Sequence, residues 1–156
     1  MADIIDSSLP PFFEDEAEKI FAMMRPKQLA KVEEARRVGE WVVGVYFAHT
    51  REEDGVKVPR VEVRFNDMAY TLRTASGGSS RQGLIAVKGV LTHMRLFSPR
   101  ETARLQGVPD SYKLPAMSKD AWTLIGDAVS PPVVRHLAAH VLEPILLEAR
   151  GGRDAA

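Results

Sequence analysis

The spacing of hydrophobic residues changes twice along the chain and divides it into three parts. Apolar side chains recur at helical spacing in residues 14–24, and Pro26 and Gly39 suit the first turn and the end of a second helix. Residues 41–47 are β-branched and aromatic, and residues 61–65 alternate apolar with charged side chains, as half-buried strands do. The pattern predicts an α+β protein. Its parts are a helical lead-in at 1–40, a β-rich region at 41–92, a helical region at 93–150 and a disordered tail at 151–156.

Two shorter apolar runs complete the predicted strands. Residues 69–72 and 84–87 are predicted to be strands on either side of a loop rich in glycine and serine. The charged residues 51–55, which end in glycine, predict a turn between the first two strands.

The third part carries signals for the starts and ends of helices. Ser98 and Glu101 have the spacing of a capping box, in which the Ser98 hydroxyl accepts from the Glu101 N–H and the Glu101 carboxylate accepts from the Ser98 N–H. Gly107 suits the left-handed residue that ends this helix. A long amphipathic helix is predicted after Ser130, with a bend near Pro144.

Composition excludes several classes of protein. The chain of 156 residues is 45% hydrophobic and 27% charged, which is enough apolar material for a folded core. No apolar run approaches the roughly 18 residues of a membrane span, so we expect a cytoplasmic protein with no membrane partner. The chain contains no cysteine. It therefore has no disulfide, no thiolate metal site and no cysteine nucleophile.

Charge is balanced overall but not locally. Twenty-one basic residues match 21 acidic ones, yet residues 72–113 hold seven arginines and lysines against two acids. A basic stretch on a neutral protein is compatible with contacts to phosphate groups, and also with an ordinary solvated surface. Charge alone leaves both interpretations open.

Two pairs of residues suggest a functional site but lack the partners it would need. His136 and His140 are four residues apart on a predicted helix, which is the spacing of a metal-ligand pair. No third ligand pattern accompanies them, so we expect a surface or packing role and predict no metal site. Gly77 and Gly78 lack the spacing of a nucleotide-binding loop, and in isolation they indicate a hairpin turn.

Three segments together resemble a known family. Residues 95–114, RLFSPRETARLQGVPDSYKL, resemble the ninth motif of bacterial DNA (cytosine-5) methyltransferases, roughly R-x-L-T-P-R-E-x-x-R-L-Q-G-F-P-D. Residues 126–129, GDAV, resemble the tenth motif, with Asp127 in place of the common asparagine. Residues 69–78, AYTLRTASGG, resemble the T-L…G-G element of the family's target-recognition domain. The order and spacing match as well, and the resemblance covers about residues 60–147.

The resemblance implies the carboxy-terminal part of a methyltransferase. In the family, the amino-terminal two thirds hold the cofactor loop, the proline–cysteine nucleophile and two further catalytic motifs, and this chain has none of them. The β-rich region would be a target-recognition region, and the C-terminal helices would pack on a Rossmann-like methyltransferase domain. The implied partners are double-stranded DNA and a catalytic N-terminal half on a separate chain. The implied cofactor is S-adenosylmethionine, bound mostly by that missing half.

Three interpretations of the chain are open. The preferred one is the smaller, target-recognising subunit of a split methyltransferase, which is not active alone because the reaction needs a thiolate to add to the cytosine ring. The alternative is a DNA-binding or regulatory remnant that transfers no methyl group. The third is an expressed fragment of a full-length enzyme. In each case no catalytic residue is assigned to this chain.

The resemblance also implies candidate site residues. A Gly/Ser loop lets the backbone approach base edges, Arg81 and Gln82 suit bidentate contacts to guanine and adenine, and Arg73 suits a phosphate contact. Arg100 and Arg104 are expected to make salt bridges or phosphate contacts. The predicted DNA-binding set is Thr71, Arg73, Thr74, Ser76, Gly77, Gly78, Ser79, Arg81 and Gln82. The predicted cofactor neighbours are Asp127, Ala128 and Val129.

Overall fold

The computed structural model describes residues 4–6, 17–74 and 81–154. Two helices precede a four-stranded sheet and four helices follow it, which confirms the predicted α+β class. The elements are α1 Ala17–Ala22, α2 Pro26–Arg37, β1 Val42–Glu53, β2 Val56–Arg64, β3 Arg81–Lys88, β4 Leu91–Leu96, α3 Pro99–Leu105, α4 Ser118–Asp127, α5 Pro131–Leu137 and α6 Glu143–Asp154. A π-helical segment, Ala138–Leu142, joins α5 to α6.

The sheet is antiparallel, with its strands in the order β2-β1-β3-β4. β1 and β2 form a hairpin whose turn residues, Asp54 and Gly55, both have positive φ (51° and 78°), as a type I′ turn requires. β1 continues to Glu53, so the turn is shorter than the sequence predicted. Since β2 is at the edge of the sheet and β3 lies on the far side of β1, the connection from β2 to β3 has to cross β1.

Each face of the sheet has its own hydrophobic core. On the first face, α1 and α2 cover the strands, and Val32 of α2 shares a core with the fully buried Val63 and Ile85. On the second face, Leu84 and Phe97 belong to a smaller core. The partly buried residues packed against this second core are Ile5, Val43, Tyr70 and Leu105. The amino-terminal segment, the connection from β2 to β3 and α3 therefore meet on the second face.

One predicted strand and two predicted boundaries are wrong. Residues 69–72 form no strand. β4 carries strand structure to Leu96, past the predicted end of the β-rich region at residue 92, because its Met94 is buried in the first core. α6 continues to Asp154 and so corrects the tail predicted from residue 151, since extending an existing helix requires no new nucleation. The predicted helix residues 14–16 and the tail residues 155–156 lie outside the described residues.

The irregularity predicted near Pro144 takes the form of the π-helical segment. The Glu143 N–H donates to the carbonyl of Ala138, five residues earlier. Pro144 has no N–H for the carbonyl of His140, and its ring would crowd that carbonyl in a regular helix. The wider π turn accommodates the proline without ending the helix.

Candidate nucleic-acid interface

A buried carboxylate lies at the centre of the ninth-motif segment. Glu101, in the first turn of α3, is fully buried and accepts hydrogen bonds from both terminal nitrogens of Arg95, at 2.7 and 2.6 Å. It also accepts from the backbone N–H of Ser98 (2.9 Å), and the Ser98 hydroxyl accepts from the Glu101 N–H (3.1 Å). This pair confirms the predicted capping box. A further bond, from the N–H of Asp6 (2.8 Å), ties the amino-terminal segment to α3.

The surroundings of Glu101 favour its charged form. Burial raises the pKa of the Glu101 carboxyl, but the hydrogen bonds from Arg95 and from the backbone N–H groups of Ser98 and Asp6 together lower it more. The pKa therefore lies below the ordinary value of 4.5. A buried carboxylate is tolerated only when it is paired and hydrogen-bonded, and Glu101 meets both conditions.

Two other arginines of the ninth motif are also used within the protein. Arg104 donates to both carboxylate oxygens of Asp110, each at 2.8 Å, so it makes a salt bridge, one of the two contacts expected of it. Arg100 donates to the carbonyl of Tyr112 at 2.8 Å. Several of the positively charged side chains in residues 72–113 therefore pair with carboxylates of the same protein or donate to its backbone carbonyls.

The end of α3 is locked against the tenth-motif segment. Gln106 Nε2 donates to the carbonyl of Ile125 near the end of α4 (2.6 Å), and the Ser130 hydroxyl donates to the carbonyl of Gln106 (2.9 Å). Gly107 has the predicted left-handed conformation, with φ of 78°. A Cβ at Gly107 would lie 2.5 Å from the ring of Pro132 at the start of α5. These contacts fix the tenth-motif loop between α3 and α5.

The predicted cofactor neighbours lie at the C-terminal end of α4. Asp127 is the last residue of α4, and Ala128 is its C-cap. Both are exposed, as is Val129 at 68%. The three residues therefore present a carboxylate and an apolar side chain at an open edge of the molecule.

The connection from β2 to β3 is held against the sheet by one glutamine. Gln82 Oε1 accepts from the Tyr70 N–H (3.0 Å), and Gln82 Nε2 donates to the carbonyls of Tyr70 (3.1 Å) and Thr71 (3.0 Å). The side chain satisfies backbone groups that a strand at 69–72 would have paired, which explains why no strand forms there. The bonds also occupy both Nε2 hydrogens. The structure therefore gives Gln82 an internal role that its residue type did not predict.

An aromatic stack lies beside this glutamine on the second face. The Tyr70 ring stacks on Phe47 (centroids 5.1 Å apart), Phe47 stacks on His49 (4.9 Å), and the Arg64 guanidinium lies 4.0 Å from the Tyr70 centroid. Burial raises the pKa of the Tyr70 hydroxyl to about 12, against the opposing effect of the nearby Arg64 charge. The Tyr70 hydroxyl therefore stays protonated, and its ring anchors the connection to β1.

The same connection crosses α4 at a glycine. A Cβ on Gly126 would lie 2.4 Å from the backbone nitrogen of Thr74 and 2.7 Å from the carbonyl carbon of Arg73. Gly126 is the first residue of the tenth-motif segment. The predicted DNA-binding segment and the predicted cofactor edge are therefore adjacent in the fold.

The described members of the predicted DNA-binding set lie on this connection and on β3. Thr71 and Arg73 are exposed, and Thr74 is partly buried. Within the described residues, Arg73 has no carboxylate partner. Arg81 begins β3, where its backbone pairs with Ala48 of β1. The remaining predicted members lie outside the described residues: Ser76, Gly77, Gly78 and Ser79.

The C-terminal region ends in a largely uncovered helix, which is formed by α5, the π-helical segment and α6. No residue of α5 or of the π-helical segment is buried, and no described helix is long and apolar enough to cross a membrane. His136 and His140 are exposed there and stack on each other with centroids 4.2 Å apart. The exposed large apolar residues of this helix are Val133, Val134, Leu137, Val141, Leu142, Ile145, Leu146 and Leu147.

Comparison with known proteins identifies the family. A family model described as C-5 cytosine-specific DNA methylase matches residues 14–143. The chain therefore belongs to the C-5 cytosine-specific DNA methylase family. The match extends further toward the amino terminus than the motifs that suggested it, and includes both helices before the sheet.

Several bacterial methyltransferases are similar to parts of the chain. It is 32% identical to the type II methyltransferase M.DsaV of Dactylococcopsis salina over 99 residues, 63% of this chain and 27% of that protein. It is 38% identical to M.HpaII of Haemophilus parainfluenzae over 52 residues (33% and 14%) and 30% identical to M.SsoII of Shigella sonnei over 84 residues (52% and 22%). The chain thus spans 27% or less of these relatives. No solved structure gives a significant match.

The sequence did not predict the roles of two residues that hold residues 70–74 in place. Gly126 has no side chain and so admits the backbone of residues 73–74. Phe47 is a strand residue that also forms the middle ring of the aromatic stack. A helical glycine without an evident capping role was the one signal available in the sequence, since helix interiors disfavour glycine.

Proposed function

We propose that this chain is the DNA-recognising, non-catalytic part of a DNA (cytosine-5) methyltransferase whose catalytic half is a separate chain. The observation that carries the proposal is a family match on a chain without cysteine. The thiolate that adds to cytosine would then come from outside these 156 residues, and we assign it to the separate catalytic half. Methyl transfer from S-adenosylmethionine to cytosine in DNA would be an activity of the assembled enzyme only.

The surface formed by residues 70–74 supports a role in DNA binding. Arg73 is exposed and lacks a carboxylate partner within the described residues, unlike Arg95 and Arg104. An unpaired exposed guanidinium is suited to a phosphate oxygen, and the exposed Thr71 hydroxyl can donate to another. Arg81, at the start of β3, stays our candidate for reading a guanine edge. Specificity would thus come from the start of β3, and affinity from the connection before it.

The edge formed by residues 127–129 supports a minor share of the cofactor site. The Asp127 carboxylate can accept hydrogen bonds or pair with a cationic group, and the Val129 side chain can contact an apolar one. S-adenosylmethionine carries groups of each kind, so these residues fit one side of its site. When bound, the cofactor supplies the methyl group. An open edge cannot enclose such a ligand, so the catalytic half would provide the rest.

The exposed apolar face of α5 and α6 supports association with that catalytic half. Contiguous apolar patches beyond a few hundred Å² are unusual on monomers and generally mark a partner surface. The face directly follows residues 127–129, which the cofactor assignment places beside the catalytic domain. The matched segments cover 27% or less of each of these relatives, so most of each relative lies outside the match and leaves room for such a domain. The rival interpretation, a DNA-binding or regulatory remnant, assigns this face no catalytic partner.

Replacing Arg73 with alanine tests the DNA contact. We expect Arg73→Ala to weaken binding to two duplexes of unrelated sequence equally, because phosphate contacts carry no sequence information. The slope of log K against log salt should fall in magnitude by about 1, the loss of one phosphate contact. Fluorescence anisotropy over a salt series measures both quantities.

Arg37→Ala is the matched control for this experiment. Arg37 is an exposed arginine at the end of α2, which packs on the opposite face of the sheet. Its replacement should leave the salt slope unchanged. An equal effect of the two variants would mean that only overall charge matters, and the assignment of residues 70–74 as a DNA surface would be wrong.

A further inference from the structure

We propose that Gln82 is a positioning residue for DNA binding, which holds residues 70–74 at the height and orientation that Arg73 needs to reach the DNA backbone. This inference rests on the proposed DNA-binding function and gives Gln82 and Arg73 different roles in it. Gln82 would act through Arg73 and would touch no base. The geometry points to this role in three ways.

The first is that Gln82 is itself rigidly placed. Its Cα pairs with Phe47 in the centre of the sheet, and its carbonyl accepts from the Phe97 N–H at 3.2 Å. With its backbone held on both sides, the side chain projects from a fixed point on the second face. An amide group has the same donors and acceptor as a peptide unit, so it can take the place of a neighbouring strand.

The second is that all three of its bonds reach the same short segment. The Gln82 amide accepts from the backbone N–H of Tyr70 and donates to the backbone carbonyls of Tyr70 and Thr71. A bidentate contact to adenine needs one amide hydrogen and the amide oxygen. Both hydrogens are already engaged, so reading adenine would require the segment to be released from the sheet.

The third is that the segment is clamped from the opposite end as well. The stack of Tyr70 on Phe47 secures its beginning, and the close approach of residues 73–74 to Gly126 secures its end. Arg73 therefore lies between two fixed points while its side chain stays exposed. Loss of the Gln82 bonds would loosen the segment at Tyr70 and Thr71. The free protein would then have more conformational entropy in this segment, which DNA binding would have to reduce.

The experiment compares Gln82→Ala, Gln82→Glu and Gln28→Ala in the full chain. Gln82→Glu keeps the size of the side chain and the acceptor for the Tyr70 N–H but removes both donors, so it remains informative if the alanine variant folds poorly. Gln28→Ala is the control, because Gln28 also accepts from a backbone N–H, that of Val63 (3.1 Å), but from α2 on the first face.

Two readouts are needed. Hydrogen exchange at the Tyr70 amide reports the clamp without DNA, and we expect Gln82→Ala to accelerate it about five- to tenfold, the usual net effect of one lost hydrogen bond. Anisotropy titration with two unrelated duplexes reports DNA binding. Gln82→Ala should weaken both equally, and the double variant with Arg73→Ala should bind no more weakly than Arg73→Ala alone, since one residue acts through the other.

Four outcomes would overturn the inference. Unchanged exchange at Tyr70 would mean that the clamp is not formed in solution. A change in preference between the duplexes, with additive losses in the double variant, would mean that Gln82 reads a base. If the wild-type chain bound neither duplex at low salt, the proposed function would be refuted and this inference with it. If the wild-type chain and Gln82→Ala bound the duplexes equally well, the inference alone would be refuted.

Discussion

Glu101→Ala is expected to lower the free energy of unfolding by about 3–5 kcal/mol, the usual effect of removing one partner from a buried ion pair. The substitution leaves the Arg95 guanidinium, whose side chain is only 9% exposed, without its carboxylate. It also leaves the backbone N–H groups of Ser98 and Asp6 without an acceptor. Thermal and urea unfolding would measure the loss, and it should detach the amino-terminal segment from α3 as well.

Asp110→Asn is the matched control for Glu101→Ala. Asp110 also accepts two bonds from an arginine of α3, but its side chain is 59% exposed, so solvent screens the interaction and the change should be small. Equal losses for the two variants would contradict the account, because burial would then not be what makes Glu101 important.

Acid should weaken the fold partly through Glu101. Its pKa is lower in the folded chain than the ordinary 4.5, so the charged form stabilises the folded state at every pH above that value. The contribution is lost as the pH falls from about 4.5 through the depressed pKa. Below pH 4.5 the free energy of unfolding of wild type should therefore fall more steeply with pH than that of Glu101→Ala.

Gly126→Ala is expected to destabilise the chain and to weaken DNA binding, although helix propensity alone predicts the opposite. Alanine is favoured over glycine in a helix by about 1 kcal/mol. The new Cβ, however, would lie 2.4 Å from the backbone nitrogen of Thr74, so residues 73–74 have to move. Overpacking of this kind costs about 1–3 kcal/mol and would shift Arg73 away from its observed position. Thermal unfolding and duplex titration measure the two effects.

Thr123→Ala controls for propensity in the same helix. Thr123 is exposed on α4, and its hydroxyl donates only to the Lys119 carbonyl one turn earlier. The substitution should leave DNA binding unchanged. A Gly126→Ala variant that is as stable as wild type and binds DNA equally well would show that the contact between α4 and residues 73–74 has no consequence.

Local signals in the sequence predicted the local features of the fold. The capping box at Ser98, the left-handed Gly107 and the strand at residues 84–87 depend on neighbouring residues alone, and the structure confirms each of them. Each is a short-range choice of backbone conformation or hydrogen bond. A sequence shows such choices directly, because every participating residue lies within a few positions.

The failures concern contacts between residues far apart in the chain. Residues 69–72 have the apolar and aromatic content of a strand, but their backbone partner is a side chain at Gln82 that no periodicity reveals. The same contact engages the Gln82 amide within the protein, whereas its residue type predicted a contact to adenine. The function of Gly126 likewise depends on backbone that arrives from more than fifty positions earlier.

The family motifs carried information of a different kind from the local patterns. They indicated which part of a methyltransferase the chain resembles before any fold was known, and the family match over residues 14–143 supports the family assignment. They did not separate residues that stabilise the protein from residues that meet a ligand. Arg104 and Glu101 belong to the ninth motif, and each forms an ion pair within the protein: Arg104 with the exposed Asp110, and the buried Glu101 with Arg95.

The central claim, that this chain recognises DNA for a catalytic half on another polypeptide, is tested most directly by methyl incorporation. Labelled S-adenosylmethionine and duplex DNA would be incubated with this chain, with a cysteine-bearing family protein that lacks its own recognition part, and with both. The account predicts label in DNA only with both proteins, and none when Leu137→Glu puts a charge on the apolar face of α5. Incorporation by this chain alone, or equal incorporation with Leu137→Glu, would contradict it.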